Sequence, residues 1–272
     1  MQDAGYEALA GGGGSYRDIL KNKDEAVALE QEKREVKSDD VAGRLIAEYE
    51  ERVPQEPKNL KLLRSLSELY AQKKEFDKAI EYAERIRSSE GGTDPSLDKL
   101  ITDIALKKFE QRVAQLDPAA PEFTAQAATI QAERDAFQLS ECKARADRYP
   151  TDLQIRYDLG ELYFKAEKIS EAIQEFQKAQ SNPARRVQTM GYLGQCFARR
   201  GMNDMAARKF QEAIKEKPGF DDEKKELIYQ LGCVFEKMGK KQEALEQFTV
   251  IYESDIGYKD VSAKVDAFYA GQ

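Results

Sequence analysis

Histidine is absent from this sequence of 272 residues. Its absence removes the commonest general base, the usual partner of a nucleophilic serine or cysteine, and the commonest transition-metal ligand. Cysteine is scarce. Cys142, Cys196 and Cys233 are odd in number and share no Cys-x-x-Cys spacing, so neither a disulfide framework nor a zinc site is expected, and buried thiols in a reducing compartment are the plain reading. Long apolar runs are missing too. No stretch approaches the roughly 18 to 20 consecutive apolar residues that span a bilayer, and the start of the chain lacks the basic and apolar regions of a signal peptide. Basic residues are in deficit: 43 Lys and Arg face 50 Asp and Glu, a net charge of −7, which argues against capture of nucleic acid or of an anionic membrane. The expectation is a cytoplasmic protein, or a soluble domain excised from a longer one, with no cofactor, no metal, no nucleic acid and no direct membrane insertion.

Catalytic constellations are lacking as well. The paired carboxylates of Glu50-Glu51 and Asp221-Asp222-Glu223 fall on solvated helix faces or in a charged loop, and the cysteines have no histidine to activate them. Gly11 to Gly14 lacks the Lys-Ser/Thr ending of a phosphate-binding loop. The chain reads as a protein without enzymatic activity.

What is present is charge and helical periodicity. Charged residues make up 34% and hydrophobic residues 41% of the chain, and Gly and Pro are sparse beyond the first fifteen residues, a balance that suits amphipathic helices and an all-α fold. A fixed period organises them. Leu159-Gly160, Tyr163, Ala172, Phe176 and Ala179 recur 34 residues later as Leu193-Gly194, Phe197, Ala206, Phe210 and Ala213. A third copy, Leu231-Gly232, Phe235, Ala244 and Phe248, follows after 38 residues, the extra ones falling in Phe220 to Lys224. Each glycine costs its helix roughly 1 kcal/mol against alanine, so a close helix approach is expected to offset it. Ala172, Ala206 and Ala244 are the expected small counterparts, with the aromatic residues filling the space beside the contact.

This period and residue order resemble the tetratricopeptide-repeat (TPR) family. A fourth copy, Leu66-Ser67, Tyr70, Ala79, Tyr82 and Ile86, keeps the order with Ser in place of Gly and the second-helix aromatic displaced by one. Pro57, Pro150 and Pro218 lie where the family breaks the chain between repeats, and Pro183 falls one residue early. The resemblance implies a right-handed superhelical solenoid of antiparallel helix pairs. Its expected parts are a flexible tail (1–14), an N-terminal charged helix and degenerate repeat helix (15–58), one repeat (59–92), a long helical hairpin (93–152), three repeats (153–256) and a capping helix (257–272). The hairpin is either a degenerate repeat or an insertion. Asp94-Pro95 is expected to cap its first helix, and Val41, Leu45, Ile46, Tyr49 and Val53 to line an earlier one. The charged helix from Tyr16 to about Lys37 is either part of a degenerate repeat or a protruding arm.

In the family the first helices of successive repeats line a concave groove for a peptide or a partner helix. The matching positions here are Tyr157, Glu161, Phe164, Lys165, Gln188, Tyr192, Gln195, Arg199, Tyr229, Glu236 and Lys237. Some members clamp a terminal carboxylate with Lys, Arg and Asn; those places carry Tyr157, Glu161, Tyr192, Glu226 and Gln230, so an acidic chaperone tail is not the expected ligand of this groove. The resemblance implies a scaffold or adaptor for a protein or peptide partner. The alternative is a structural subunit of a larger, envelope-associated assembly joined through the N-terminal helices, and association with further copies of the chain stays open.

Overall fold

The computed structural model describes residues 40–89 and 94–270. The tail expected over 1–14 and the helix expected over Tyr16 to Lys37 lie outside the described residues. Among the described residues every regular element is a helix. The chain divides into two compact units, Met1–Phe123 and Thr124–Gln272.

The first unit contains α1 (40–52), α2 (Leu60–Gln72), α3 (Phe76–Arg87) and α4 (Pro95–Ala114). Leu63, Leu66, Tyr70, Ala79, Leu97 and Ile101 form its core. Asn59 caps α2 by accepting from the Leu62 amide at 3.1 Å. Asp94 caps α4 by accepting from the Ser96 amide at 2.9 Å, with Pro95 at the first helical position, where its missing N–H costs nothing. Helix α1 buries Ala42 and Ile46, whereas Val41, expected on that face, is 48% exposed.

In the second unit, α5 (Phe123–Arg148) leads into three helix pairs: α6 (Leu153–Lys165) with α7 (Ile169–Ala179), α8 (Arg186–Arg199) with α9 (Asn203–Glu216), and α10 (Asp222–Lys237) with α11 (Lys241–Tyr252). Helix α12 (Val261–Ala270) follows. The segment that lengthens the third repeat is only partly loop: Asp221 accepts from the Lys224 amide at 3.0 Å as the cap of α10, and Asp222 to Lys224 form its first turn. At the head of the array Arg156 takes a place that Leu63, Met190 and Ile228 hold in the other repeats. Its buried guanidinium bonds Glu175 of α7 at 3.1 Å and the Ala146 carbonyl of α5 at 2.9 Å, tying α5 to the first pair. A buried ion pair of this kind carries its own hydrogen bonds because desolvation would otherwise exceed the attraction.

The turns inside the pairs share one geometry. Lys74, Glu167, Gly201 and Gly239 all have positive φ, between 56° and 74°. The following amide reaches back to the carbonyl five residues earlier at 2.9 Å in each case: Glu75 to Tyr70, Lys168 to Tyr163, Met202 to Phe197, and Lys240 to Phe235. This is a Schellman-type helix end, and glycine meets its left-handed residue without steric cost. Lys74 and Glu167 adopt it against that cost.

Each repeat glycine carries an aromatic ring. A Cβ added at Gly160 would lie 2.7 Å from the Phe176 ring, at Gly194 2.8 Å from Phe210, and at Gly232 2.6 Å from Phe248. The three phenylalanines are at most 2% exposed, so no ring has room to retreat. The close approach is therefore helix backbone against phenylalanine. Ala172, Ala206 and Ala244, expected as the counterparts of the glycines, are buried beside it.

The first unit solves the same packing problem with the sizes exchanged. Ser67 stands at the glycine position and Ala83 at the phenylalanine position, both fully buried. The Ser67 hydroxyl donates to the Ala79 carbonyl at 2.8 Å, which satisfies a buried polar group. Tyr82 does not replace the phenylalanine; its ring stacks on Tyr70 with centroids 5.7 Å apart.

Gly194→Ala will lower stability by about 1–3 kcal/mol through overpacking, despite alanine's better helix propensity. Urea unfolding measures this, and a variant as stable as the parent would show that the Phe210 ring is not fixed there. In a double-mutant cycle, Ala83→Phe alone will destabilise and Ser67→Gly will recover part of the loss, the two coupling by about 0.5–3 kcal/mol. Additivity would refute the exchange.

Candidate functional site

The first helices of the second unit are stitched side by side by polar bonds between residues about one repeat apart. Tyr192 of α8 donates its hydroxyl to Glu161 Oε1 of α6 at 2.8 Å, and Tyr157 donates to the same oxygen at 3.2 Å. Arg199 bonds Glu167 at 2.7 Å, and Arg185 Nε donates to Gln154 Oε1 at 3.2 Å. Near α12 the scheme repeats: Tyr229 donates to Asp260 at 2.7 Å, Tyr258 donates to Glu226 at 2.8 Å, and Lys259 pairs with Glu226. Between α8 and α10 the contact is apolar. Gly191 occupies the place held by Tyr157 and Tyr229, and a Cβ there would meet Leu227 at 3.0 Å.

The eleven groove positions divide by burial. Tyr157 and Phe164 are only 5% and 8% exposed and belong to the core. Their rings join a cluster with Phe176 and Tyr192, in which Tyr192 stacks on Phe176 at 4.9 Å and Phe164 meets Tyr192 edge-on at 5.3 Å. Glu161, Gln188, Tyr192, Gln195 and Tyr229 are half-buried, and Lys165, Arg199, Glu236 and Lys237 are exposed. The Arg199 guanidinium lies 3.9 Å from the centre of the Phe164 ring, a cation–π contact. Lys264 pairs with Glu236 at 2.6 Å. Gln188, Tyr192, Gln195 and Arg199 follow one another at four, three and four residues along α8 and so form one stripe of that helix.

Sequence reasoning missed Arg185, Tyr258, Lys259 and Asp260. Their signal was available as complementary residues about one period apart, such as Glu226 and Tyr258.

Burial, together with the hydrogen bond to Glu161, raises the pKa of Tyr192 well above the ordinary tyrosine value of 10.0; Tyr157 is raised by burial and by the same carboxylate. Tyr229 and Tyr258 are raised by burial and by their own carboxylate partners. The cysteines are kept as thiols: burial raises all three, Cys196 to about 11. Among the described residues no cluster of three or more Cys, Asp or Glu is placed to hold a metal ion, and no helix is long and apolar enough to cross a membrane.

Residues 157–219, which carry the first two glycine-on-phenylalanine contacts of the array, match the family profile of the tetratricopeptide repeat. That stretch carries tetratricopeptide repeats. No curated protein matches the sequence of the chain. Among solved structures it is similar to the MamA protein, with 18% identity over 74% of this chain and 95% of that one and a TM-score of 0.47. It is also similar to YrrB, described as a TPR protein with an unusual peptide-binding site, at 14% identity over 77% and 93% and a TM-score of 0.47. A third similar structure is a thermophilic TPR protein of Thermus thermophilus, TTC0263, at 20% identity over 61% and 90% and a TM-score of 0.42. Stacked TPR pairs build the extended surface that repeat proteins use to hold partners.

Two measurements probe the tyrosine–carboxylate ties. A tyrosine with a raised folded pKa ionises first in the unfolded chain, so its stabilising effect is complete below about pH 10 and is lost as pH rises from there toward the folded value. The urea midpoint will therefore fall between about pH 9 and pH 11, and Tyr192→Phe will shrink that fall; an unchanged slope would break the assignment. Tyr157→Ala will cost about 3–5 kcal/mol, as removal of a buried ring does, whereas a loss below about 1 kcal/mol would place Tyr157 on the surface.

Proposed function

We propose that this TPR array is a non-catalytic scaffold that binds an extended segment of a protein partner along α6, α8 and α10. The observation that carries the reading is a pair of glutamines. Gln188 and Gln195 are half-buried, lie on one stripe of α8 with Tyr192 between them, and their side chains make no hydrogen bond within the described residues. Glu161, Arg199 and Glu236 on neighbouring positions are paired, whereas Lys165 and Lys237 are exposed cations without an ion pair among the described residues. A side-chain amide offers both a donor and an acceptor, the complement of a peptide backbone unit. Seven residues of helix separate the two amides by about 10.5 Å, close to three residues of extended chain at about 3.4 Å each. Tyr192 adds a ring edge and Arg199 a charge at the end of the row.

A photo-crosslinking amino acid in place of Gln195 will capture partner protein from a native lysate, and the same group in place of the exposed Glu212 on α9 will not. Adding Gln188→Ala and Arg199→Ala will reduce the yield at position 195 about tenfold or more. Equal capture at both positions, or capture indifferent to these substitutions, would remove the groove from consideration.

A further inference from the structure

The far end of the array holds a cleft beside the last two groove positions, Glu236 and Lys237. It measures about 630 Å³ and opens between the α10–α11 turn, the first turns of α11 and the end of α12. Its floor is apolar, made by Ala244, Leu245 and Phe248 of α11 and by Ala267 and Phe268 of α12. The preceding junction has smaller residues at the equivalent places. There Ala207 of α9 and Val234 of α10 are both buried. Leu245 and Phe268 occupy the equivalent places, 38 and 34 residues later, and line the cleft.

Helix α12 is in repeat register but is not built to receive another phenylalanine. Val261, Val265 and Tyr269 follow Leu227, Leu231 and Phe235 by 34 residues, which places Asp266 where Gly160, Gly194 and Gly232 stand. Tyr269 is 63% exposed, whereas Phe235 is 7% exposed. An aspartate at the glycine position excludes the ring-on-backbone contact, so a further TPR-type helix cannot close over this end in the usual way.

The rim is basic in a chain of net charge −7. Lys241 lines the cleft, and Lys237 and Lys240 stand at the same α10–α11 turn. None of the three forms an ion pair within the described residues, in contrast to Lys225, Lys259 and Lys264, which all hold carboxylates. Glu236, on the inner wall, is already bonded to Lys264 at 2.6 Å, and Glu243 is the one acid in the first turn of α11.

We infer that this cleft is a second docking site, for an acidic peptide segment that buries one bulky apolar side chain between Leu245 and Phe268 while its carboxylates meet Lys237, Lys240 and Lys241. The apolar floor supplies the anchor, and the unpaired lysines select the flanking charge.

The test uses the full chain and a fluorescein-labelled peptide, Asp-Glu-Glu-Leu-Phe-Glu-Asp, followed by fluorescence anisotropy. Saturable binding is expected. It will weaken about tenfold or more in Lys240→Glu with Lys241→Glu, and equally in Ala267→Trp, which fills the cleft. The Gln-for-Glu and Asn-for-Asp version of the peptide will lose the same factor. Arg199→Ala and Gln195→Ala in the groove will change affinity by no more than about twofold. Helix content and melting of Ala267→Trp are measured alongside, and the exposed lysine pair gives the same answer if that variant is unfolded. Absence of saturation at millimolar protein overturns the proposal, as does equal loss in the groove variants. A change of oligomeric mass in Ala267→Trp without peptide binding also overturns it, by assigning the cleft to a second copy of the chain.

Discussion

Everything in the second unit is placed by a phenylalanine ring resting on the bare backbone of the facing helix. With Gly160, Gly194 and Gly232 each under a ring at sub-van-der-Waals distance from a notional Cβ, neither helix of a pair can rotate or slide without losing the contact. Interiors are packed too densely for intermediate arrangements. The rotation of each first helix about its own axis is therefore fixed, and with it the stripe of side chains presented opposite the contact.

The proposed groove takes its geometry and its constraint from that contact. Tyr157 lies one turn before Gly160 and meets the edge of the same Phe176 ring at 5.9 Å, while Tyr192 of the next repeat covers that ring's face at 4.9 Å. One phenylalanine thus organises the inside of its own pair and the step to the next. The tyrosines present their hydroxyls to Glu161 only because their rings are anchored beneath. A partner-binding role cannot be separated from stability at these positions, which is why the freer polar residues of the stripe are the ones that discriminate between the two.

How much was legible in the sequence follows from which residues carry each feature. Gly and Phe at fixed offsets announce the close contact directly, and the three pairs between Leu153 and Tyr252 follow from it. The first-unit pair is harder to read because both members of the contact changed: Ser67 with Ala83 preserves the fit but removes both marker residues, and Tyr82 offers a false substitute. The left-handed turn residues were readable at Gly201 and Gly239 and hidden at Lys74 and Glu167, where the fold imposes a conformation the side chain does not favour. Burial within a stripe was not readable. Periodicity places Tyr157 and Gln195 on equivalent faces, and only the neighbouring ring of Tyr192 decides that the first is core and the second reaches solvent. Val41 failed for a similar reason: Ala42, a weaker hydrophobe, is the residue that α1 buries.

The apolar step between α8 and α10 gives the stacked face its pattern. Tyrosine–carboxylate ties bind α6 to α8 and α10 to the turn before α12, whereas Gly191 lets α8 and α10 meet through Leu227 without a side-chain hydrogen bond among the described residues. A glycine at this place removes the ring that would donate a hydroxyl, so the carboxylate that would accept it is also unnecessary. The polar row is thereby split into two self-satisfied blocks, with α8 as the helix that owes its partners least. Gln188 and Gln195 lie on that helix. Their amides are not among the buried polar atoms left without a partner and so can be met by water, and the break in the ladder is what leaves them available; the lysines around α10 and α11 likewise leave charge available at the opposite end of the array. Where a repeat protein pairs its polar groups internally it gains rigidity, and where the repeat pattern lapses it keeps the groups with which another chain can be recognised.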